Sequence, residues 1–227
     1  MGRVYDQAAD AVRRVYDARI SAPAVLEVRT HFPEAARFVS QWRSIRDEAS
    51  QVAARLQSVP RFHEIMREQD AISANDGKDW RLFVLKAYGV EFPRNLAACP
   101  VLDRLVRETP SVLSAALSFM GPRKHIPAHR GPFRGVLRFY LVLSMPLDED
   151  GNPAAVLRVE DHAFRLSEGD CLLWDDTFQH EVWNDSDRVR TVLLLDVRRP
   201  GLPLDLRLLS RILIGAVGVG VRLRGVN

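Results

Sequence analysis

Two histidines stand where they could do chemistry: His129 in H-R-G-P-F and His180 in D-D-T-F-Q-H-E-V-W. Each ends or follows a strand-like segment. Each precedes a strand that carries one arginine, Arg138 or Arg190, nine and ten residues further on. Side chains alternate between faces along a strand. In Val136–Val142 this puts Leu137, Phe139 and Leu141 on one face and Val136, Arg138, Tyr140 and Val142 on the other. In Val189–Val197, Arg190 shares a face with Val192 and Leu194. A guanidinium among aliphatic neighbours is costly to bury unless an anion meets it. Either histidine alone reads as a hydrogen-bonded loop residue, or for His180 as a partner of Glu181 or Asp176. Together with two inward arginines at matching offsets they read as a metal site beside a site for a dicarboxylate.

The surrounding motifs are specific. Ser118, then H-I-P-A-H-R-G-P, L-R-F-Y, W-D-D-T-F-Q-H-E-V-W-N-D and R-T-V-L-L-L-D-V-R-R-P resemble the aspartyl/asparaginyl β-hydroxylase family. A weaker likeness reaches back through D-W-R-L-F-V-L-K-A-Y-G and R-F-H-E-I to about His31. The resemblance implies an enzyme that uses Fe(II), 2-oxoglutarate and O2 to hydroxylate an unactivated C–H, releasing succinate and CO2. It implies iron on His129 and His180, Ser118 and Arg190 at the distal carboxylate of 2-oxoglutarate, and Arg138 near its metal-proximal end. Tyr140 takes a position where the family often has histidine, and a phenol can still donate a hydrogen bond. Trp80 corresponds to a tryptophan near the cofactor.

Many non-haem iron oxygenases place a carboxylate ligand two residues after the first histidine. Here that residue is Gly131, which the resemblance tolerates because members of the family commonly carry glycine there. Asp175, Asp176 and Glu181 are the nearby alternatives. His125 reads as a positioning residue, His31, His63 and His162 as structural, and Asp196 as a buried or interface hydrogen-bonding group. The rival to an enzyme is a non-catalytic cupin-like protein that binds or senses a dicarboxylate in the same pocket.

The elements that must hold these residues follow from periodicity. Short strands at Val112–Met120, Val136–Val142, Val156–Val159, Ala163–Leu166, Cys171–Trp174 and Val189–Val197 are separated by Gly, Pro, Asn and Asp, and Arg81–Leu85 adds one upstream. That pattern indicates a mainly β fold with flanking helices, a sandwich or small barrel. The resemblance sharpens it to a double-stranded β-helix, a jelly roll of cupin type, with helices buttressing one sheet. The helices expected are Met1–Ile20, with Val4, Ala8, Ala11, Val12 and Val15 along one side, Pro33–Leu56 with an apolar seam, and Cys99–Thr109.

The 227 residues allow one dioxygenase domain over 1–200 and an apolar, basic tail over 201–227. Hydrophobic residues make up 47% of the chain, and 32 basic against 29 acidic residues leave a net charge of only +3, weak grounds for a nucleic-acid partner. Cys99 and Cys171 lie far apart and suggest no disulfide framework; Cys171 reads as a buried thiol. Residues 1–20 contain no apolar signal core, so the cytoplasm is the default compartment.

In the tail, Leu202–Leu209 and Ile212–Val221 are apolar, with Arg207, Arg211, Arg222 and Arg224 spaced among or after them. Ile212–Val221 is too short to span a bilayer and holds Gly215, Gly218 and Gly220, poor helix formers. It reads as a helix docked on the protein's own core or as an element on a membrane surface, peripheral to the inner membrane face. Substrates consistent with the resemblance are a lipid acyl chain, an Asp/Asn-type side chain of a peptide, or a small amino acid, and the tail favours lipid. Oligomeric state is left open.

Overall fold

Alternating apolar runs become strands where one face can be buried against a second layer, and that condition is met across the second half of the chain. The computed structural model describes residues 2–223, with side chains from residue 7 onward. The first half contains α1 (Gly2–Asp17), β1 (Val25–Leu26), α2 (Val28–His31), α3 (Ala35–Ser40), α4 (Trp42–Ala53), α5 (Phe62–Ile65), α6 (Asp70–Ser73), β2 (Trp80–Ala87), β3 (Val90–Glu91), α7 (Pro93–Ala97) and α8 (Pro100–Arg107). There follow β4 (Val112–Met120), β5 (His125–His129), β6 (Val136–Ser144), β7 (Ala155–Val159), β8 (His162–Phe164), β9 (Cys171–Trp174), β10 (His180–Asn184), β11 (Arg190–Arg198) and α9 (Leu204–Leu223).

One antiparallel sheet has the order β1-β9-β6-β11-β4-β2-β3, the other β5-β10-β7-β8. From β4 onward the chain steps from sheet to sheet, except for the β7–β8 hairpin. This is the double-stranded β-helix expected from the sequence. The outer face of the larger sheet, including Leu137, Phe139 and Leu141, packs with Phe38, Ile45, Ala49 and Leu102 of the buttressing helices. Tyr140, Val142 and Val192 line the space between the sheets with Leu157 and Val182. The strand phase read from the sequence therefore holds.

Several elements differ from expectation. The helix predicted from Pro33 to Leu56 is two helices, broken at Gln41, whose backbone leaves the helical region at φ −104°, ψ 11°. The break lets Phe38 turn to Phe32, with ring centroids 6.2 Å apart, while Ile45, Ala49 and Val52 stay buried along α4. Pro33 lies ahead of the first helical residue, Ala35. In α1 the buried residues are Ala9 and Tyr16, whereas Val15 is 49% exposed, because the tyrosine hydroxyl reaches Ser210 Oγ at 2.8 Å and sets the rotation of the helix. Met1, Arg224 and the side chain of Val4 lie outside the described residues. The β8 strand covers His162–Phe164, earlier than the predicted Ala163–Leu166. Cys99 is buried and Cys171 half-buried, and both are free thiols. The glycines of the tail do not break α9: Gly218 backs onto the carbonyl of Tyr88, where a Cβ would come within 2.5 Å of that oxygen.

A buried ionic hub closes one end of the barrel. Asp175, fully buried, accepts from Arg134 Nε at 2.8 Å and from Arg199 Nη2, and its other oxygen accepts from the Thr177 hydroxyl at 2.6 Å. Arg134 also donates to Asp17 of α1 at 3.0 Å and to the Ile20 carbonyl. Removing one partner of such a buried pair strands the other charge. Asp175→Ala should cost about 3–5 kcal/mol of stability, measured by urea unfolding. A loss below ~1 kcal/mol, the range of an exposed pair, would refute the hub's role.

Candidate active site

His129 ends β5 and His180 begins β10, and the two are direct partners across the antiparallel ladder. Their ring centroids are 4.2 Å apart. Each imidazole bonds by Nδ1 to the carbonyl two residues before it, His129 to Pro127 at 2.8 Å and His180 to Phe178 at 3.0 Å. A carbonyl can only accept, so Nδ1 carries the proton and Nε2 keeps its lone pair. Burial, assisted by Arg138, pushes the pKa of His129 down; burial, His129 and Arg138 push that of His180 well down. Both rings are thereby held neutral, the state in which imidazole binds a metal.

Beside Gly131, where many such sites carry a carboxylate, the structure places an aspartate from another segment. A Cβ on Gly131 would fall 2.2 Å from Asp176 Oδ1 and 2.4 Å from its Cγ, so Asp176 fills the space beside the glycine. The Gly131 N–H donates to the Asp176 carbonyl at 2.6 Å. Asp176 Oδ2 pairs with Arg138 at 3.2 Å, while Oδ1 is buried without a hydrogen-bond partner. Burial and then the nearby Asp196 and Asp175 raise its carboxyl to about 6, against the pull of Arg138. The other two carboxylates considered are engaged elsewhere: Asp175 in the hub, and Glu181 with Arg158 and with His125 Nε2 at 3.2 Å. Among the described residues no group of three or more His, Cys, Asp and Glu is arranged to hold a metal. The side chains that could hold an ion at this place are the two imidazoles, with Asp176 against Gly131 in the segment after His129.

The two arginines have different surroundings. Arg138 is held by Asp196 at 2.9 Å as well as by Asp176, and Tyr88 donates to the second oxygen of Asp196 at 3.1 Å. Burial lowers the pKa of Arg138, but Asp196 and Asp176 more than offset this and keep the guanidinium charged. The anion that meets Arg138 is thus supplied by the protein. Arg190, 2% exposed, has no carboxylate partner among the described residues. Its Nη2 lies 3.2 Å from the sulfur of Met120, a weak acceptor, and its guanidinium lies 5.3 Å from the Tyr140 ring centroid. Its Nε has no partner, and burial lowers its pKa.

Ser118 and Trp80 are joined directly. Trp80 Nε1 donates to Ser118 Oγ at 3.0 Å, leaving the hydroxyl hydrogen for another acceptor, and the indole stacks on Phe62 at 4.0 Å. Four buried side-chain polar atoms among the described residues lack partners, and three of them belong to Trp174, Asp176 and Arg190. Trp174 lies 6.1 Å from His180, centroid to centroid. Buried polar groups are ordinarily satisfied, so this concentration fits a metal and an acid bound between the sheets. His31 and His63 are bonded away from the site, to Glu27 and Ser73, and His162 is on the surface. Sequence reasoning did not single out Phe62, Tyr88 or Trp174, and did not settle on Asp176; the one signal was Gly131 itself, since a glycine beside a ligand histidine can mark a close approach.

The chain is similar to known proteins over most of its length. Residues 39–200 match the model of the aspartyl/asparaginyl beta-hydroxylase family. An ornithine lipid ester-linked acyl 2-hydroxylase from Rhizobium tropici is 36% identical over 183 residues, covering 81% of this chain and 63% of that protein. The human aspartyl/asparaginyl beta-hydroxylase is 30% identical over 169 residues, 71% of this chain and 20% of that one. The chain thus spans less than two thirds of the length of either relative. Among solved structures, a Pseudomonas putida prolyl-4-hydroxylase aligns with a TM-score of 0.43 at 15% identity, over 72% of this chain and 88% of that one.

An arginine kept buried without a counterion is a liability to the ligand-free fold. Replacing an uncompensated buried charge by an apolar group of similar length removes its desolvation cost. Arg190→Met should therefore raise the unfolding free energy of the ligand-free protein while weakening binding of any dicarboxylate that Arg190 receives. Chemical denaturation followed by calorimetric titration checks both; a clear loss of stability would mean that Arg190 serves the fold instead.

Proposed function

Because the chain belongs to the aspartyl/asparaginyl β-hydroxylase family, we propose that it is an Fe(II)- and 2-oxoglutarate-dependent hydroxylase whose substrate is a lipid acyl chain. The observation that carries the cofactor reading is the pair of neutral imidazoles beside a buried arginine that lacks a carboxylate. The lipid reading rests on the ornithine lipid hydroxylase, which is similar over more of this chain than the peptide-type relative is. Bound together, Fe(II) and 2-oxoglutarate supply with O2 the oxidising power for C–H hydroxylation, releasing succinate and CO2.

The residues of the chain divide the remaining work. His129 and His180 hold the metal by Nε2. Arg190 receives the distal carboxylate of 2-oxoglutarate through charge-assisted hydrogen bonds, and Ser118, steadied by Trp80, donates a second. The Tyr140 ring beside the guanidinium supports that cation from the other side. Arg138, fixed by Asp196 and Asp176, contributes positive charge near the metal-proximal end without moving to do so. Asp176 Oδ1 is available to accept from a water beside the histidines. The apolar residues Val192, Leu157 and Trp174 exclude bulk water. No side chain has to act as general base, so the absence of an obvious one in the sequence raises no difficulty. Work in the cytoplasm or at the inner face of its membrane is part of this reading.

Purified protein supplied with Fe(II), ascorbate, 2-oxoglutarate and air should produce succinate, and mass spectrometry of a supplied ornithine lipid should register a gain of one oxygen. His129→Ala and His180→Ala should each lose iron binding and turnover. Arg190→Ala should raise the 2-oxoglutarate requirement roughly 10- to 150-fold, the equivalent of about 1.5–3 kcal/mol. Arg138→Ala should lower turnover as well as binding. Tight 2-oxoglutarate binding with no succinate from any candidate substrate would instead favour a dicarboxylate sensor.

A further inference from the structure

An ordinary surface helix buries its apolar side and offers a polar side to water. The helix α9 is apolar on both. Leu206, Ser210, Ile214 and Gly218 are buried, in contact with the layer formed by Tyr16, Phe133, Val136 and Tyr88. On the opposite side Leu204 is 72%, Leu208 59%, Ile212 60% and Leu223 82% exposed, with Val219 completing the line. At 3.6 residues per turn, steps of four, four, seven and four keep these five on one stripe, about 30 Å long. Of eight large hydrophobic residues exposed among those described, six are on this helix.

Charge flanks the stripe on one edge. Arg207, Arg211 and Arg222 are exposed, and no carboxylate among the described residues pairs with them. Asp205, the one acid of α9, is engaged by Arg19 at 2.8 Å. A second copy of the chain packed on this face would set the same cations against one another without an anion from either side. Phosphate head groups above acyl chains match both features, with arginines at the head groups and leucines below them.

We propose that α9 is the surface by which this protein docks on an anionic lipid bilayer, lying in the interfacial plane. No helix among the described residues is long and apolar enough to cross a membrane, and the buried side of α9 is already committed to the barrel. The buried side of α9 packs on the segment that leaves His129. Ser210 Oγ meets the Tyr16 hydroxyl, and a Cβ on Gly135 would come within 2.5 Å of that same oxygen. Gly135 and Phe133 belong to the segment that leaves His129. The use of this surface to present an acyl chain rests on the lipid hydroxylase reading; the docking does not.

The test is co-sedimentation of the full chain with vesicles of phosphatidylglycerol mixed with phosphatidylcholine, and with phosphatidylcholine alone, at low and high salt. Binding to the anionic vesicles, weakened by salt, is expected. Arg207→Gln/Arg211→Gln should weaken it about 30-fold, at ~1 kcal/mol per basic residue. Leu208→Glu/Ile212→Glu should abolish it without lowering the unfolding temperature, since both positions are exposed. Failure to bind anionic vesicles, unchanged binding by the glutamate variant, or a dimer that this variant dissociates would overturn the proposal. Vesicle binding without hydroxylation of any lipid would leave the docking face intact and remove the lipid substrate; hydroxylation of detergent-dispersed lipid without vesicle binding would do the reverse.

Discussion

Both histidine-bearing segments hang from one buried carboxylate. Asp175 closes Arg134 and Arg199 together with no access to water, and Arg134 belongs to the segment after His129 while Asp175 begins the turn before His180. The same aspartate accepts from the Thr177 N–H and hydroxyl, which fixes the turn that presents the Phe178 carbonyl to His180. Arg130 donates to the Thr177 carbonyl at 2.6 Å, tying the two segments a second time. Burying these charges is costly, and Asp17 and several carbonyls share the load around Arg134. The result is a pair of imidazoles whose spacing and tautomer are set by the protein itself.

The two inward arginines differ in what the fold gives them. Arg138 and Arg190 occupy equivalent phases on neighbouring strands of one sheet. Arg138 is matched by Asp196 and Asp176, which makes it part of the frame. Arg190 is left with a thioether and an aromatic face, partners far too weak to offset desolvation of a cation. A fold retains such a residue at a cost to its own stability, and functional sites are where that cost is found.

The family match spans residues 39–200, and both α1 and α9 lie outside it. These two helices nonetheless cover the segment that follows His129: Arg13 donates to the Gly131 carbonyl at 2.7 Å, and Tyr16 packs edge-on against Phe133 at 5.9 Å. The shared region carries the barrel, the two histidines and both inward arginines. The flanking helices cover the segment after His129, and α9 adds an apolar and cationic surface.

Much of the barrel was legible in the residues. Period-two alternation identified the strands and put Arg138 and Arg190 inward, because a strand can direct a side chain to only two faces. The spaced motifs around His129 and His180 singled out two histidines that the ladder sets side by side. Alternation names a face but not the residue met across it. That Arg138 finds Asp196, 58 positions on, follows from the register of β11 against β6, while the register against β4 sets Arg190 opposite Met120; Asp176 reaches Arg138 from the turn after β9. Asp176 in the space beside Gly131, the break at Gln41, the tyrosine that turns α1, and the second apolar face of α9 were likewise decided by tertiary contacts. Local sequence limits where each side chain can point; only the closed barrel determines what it meets.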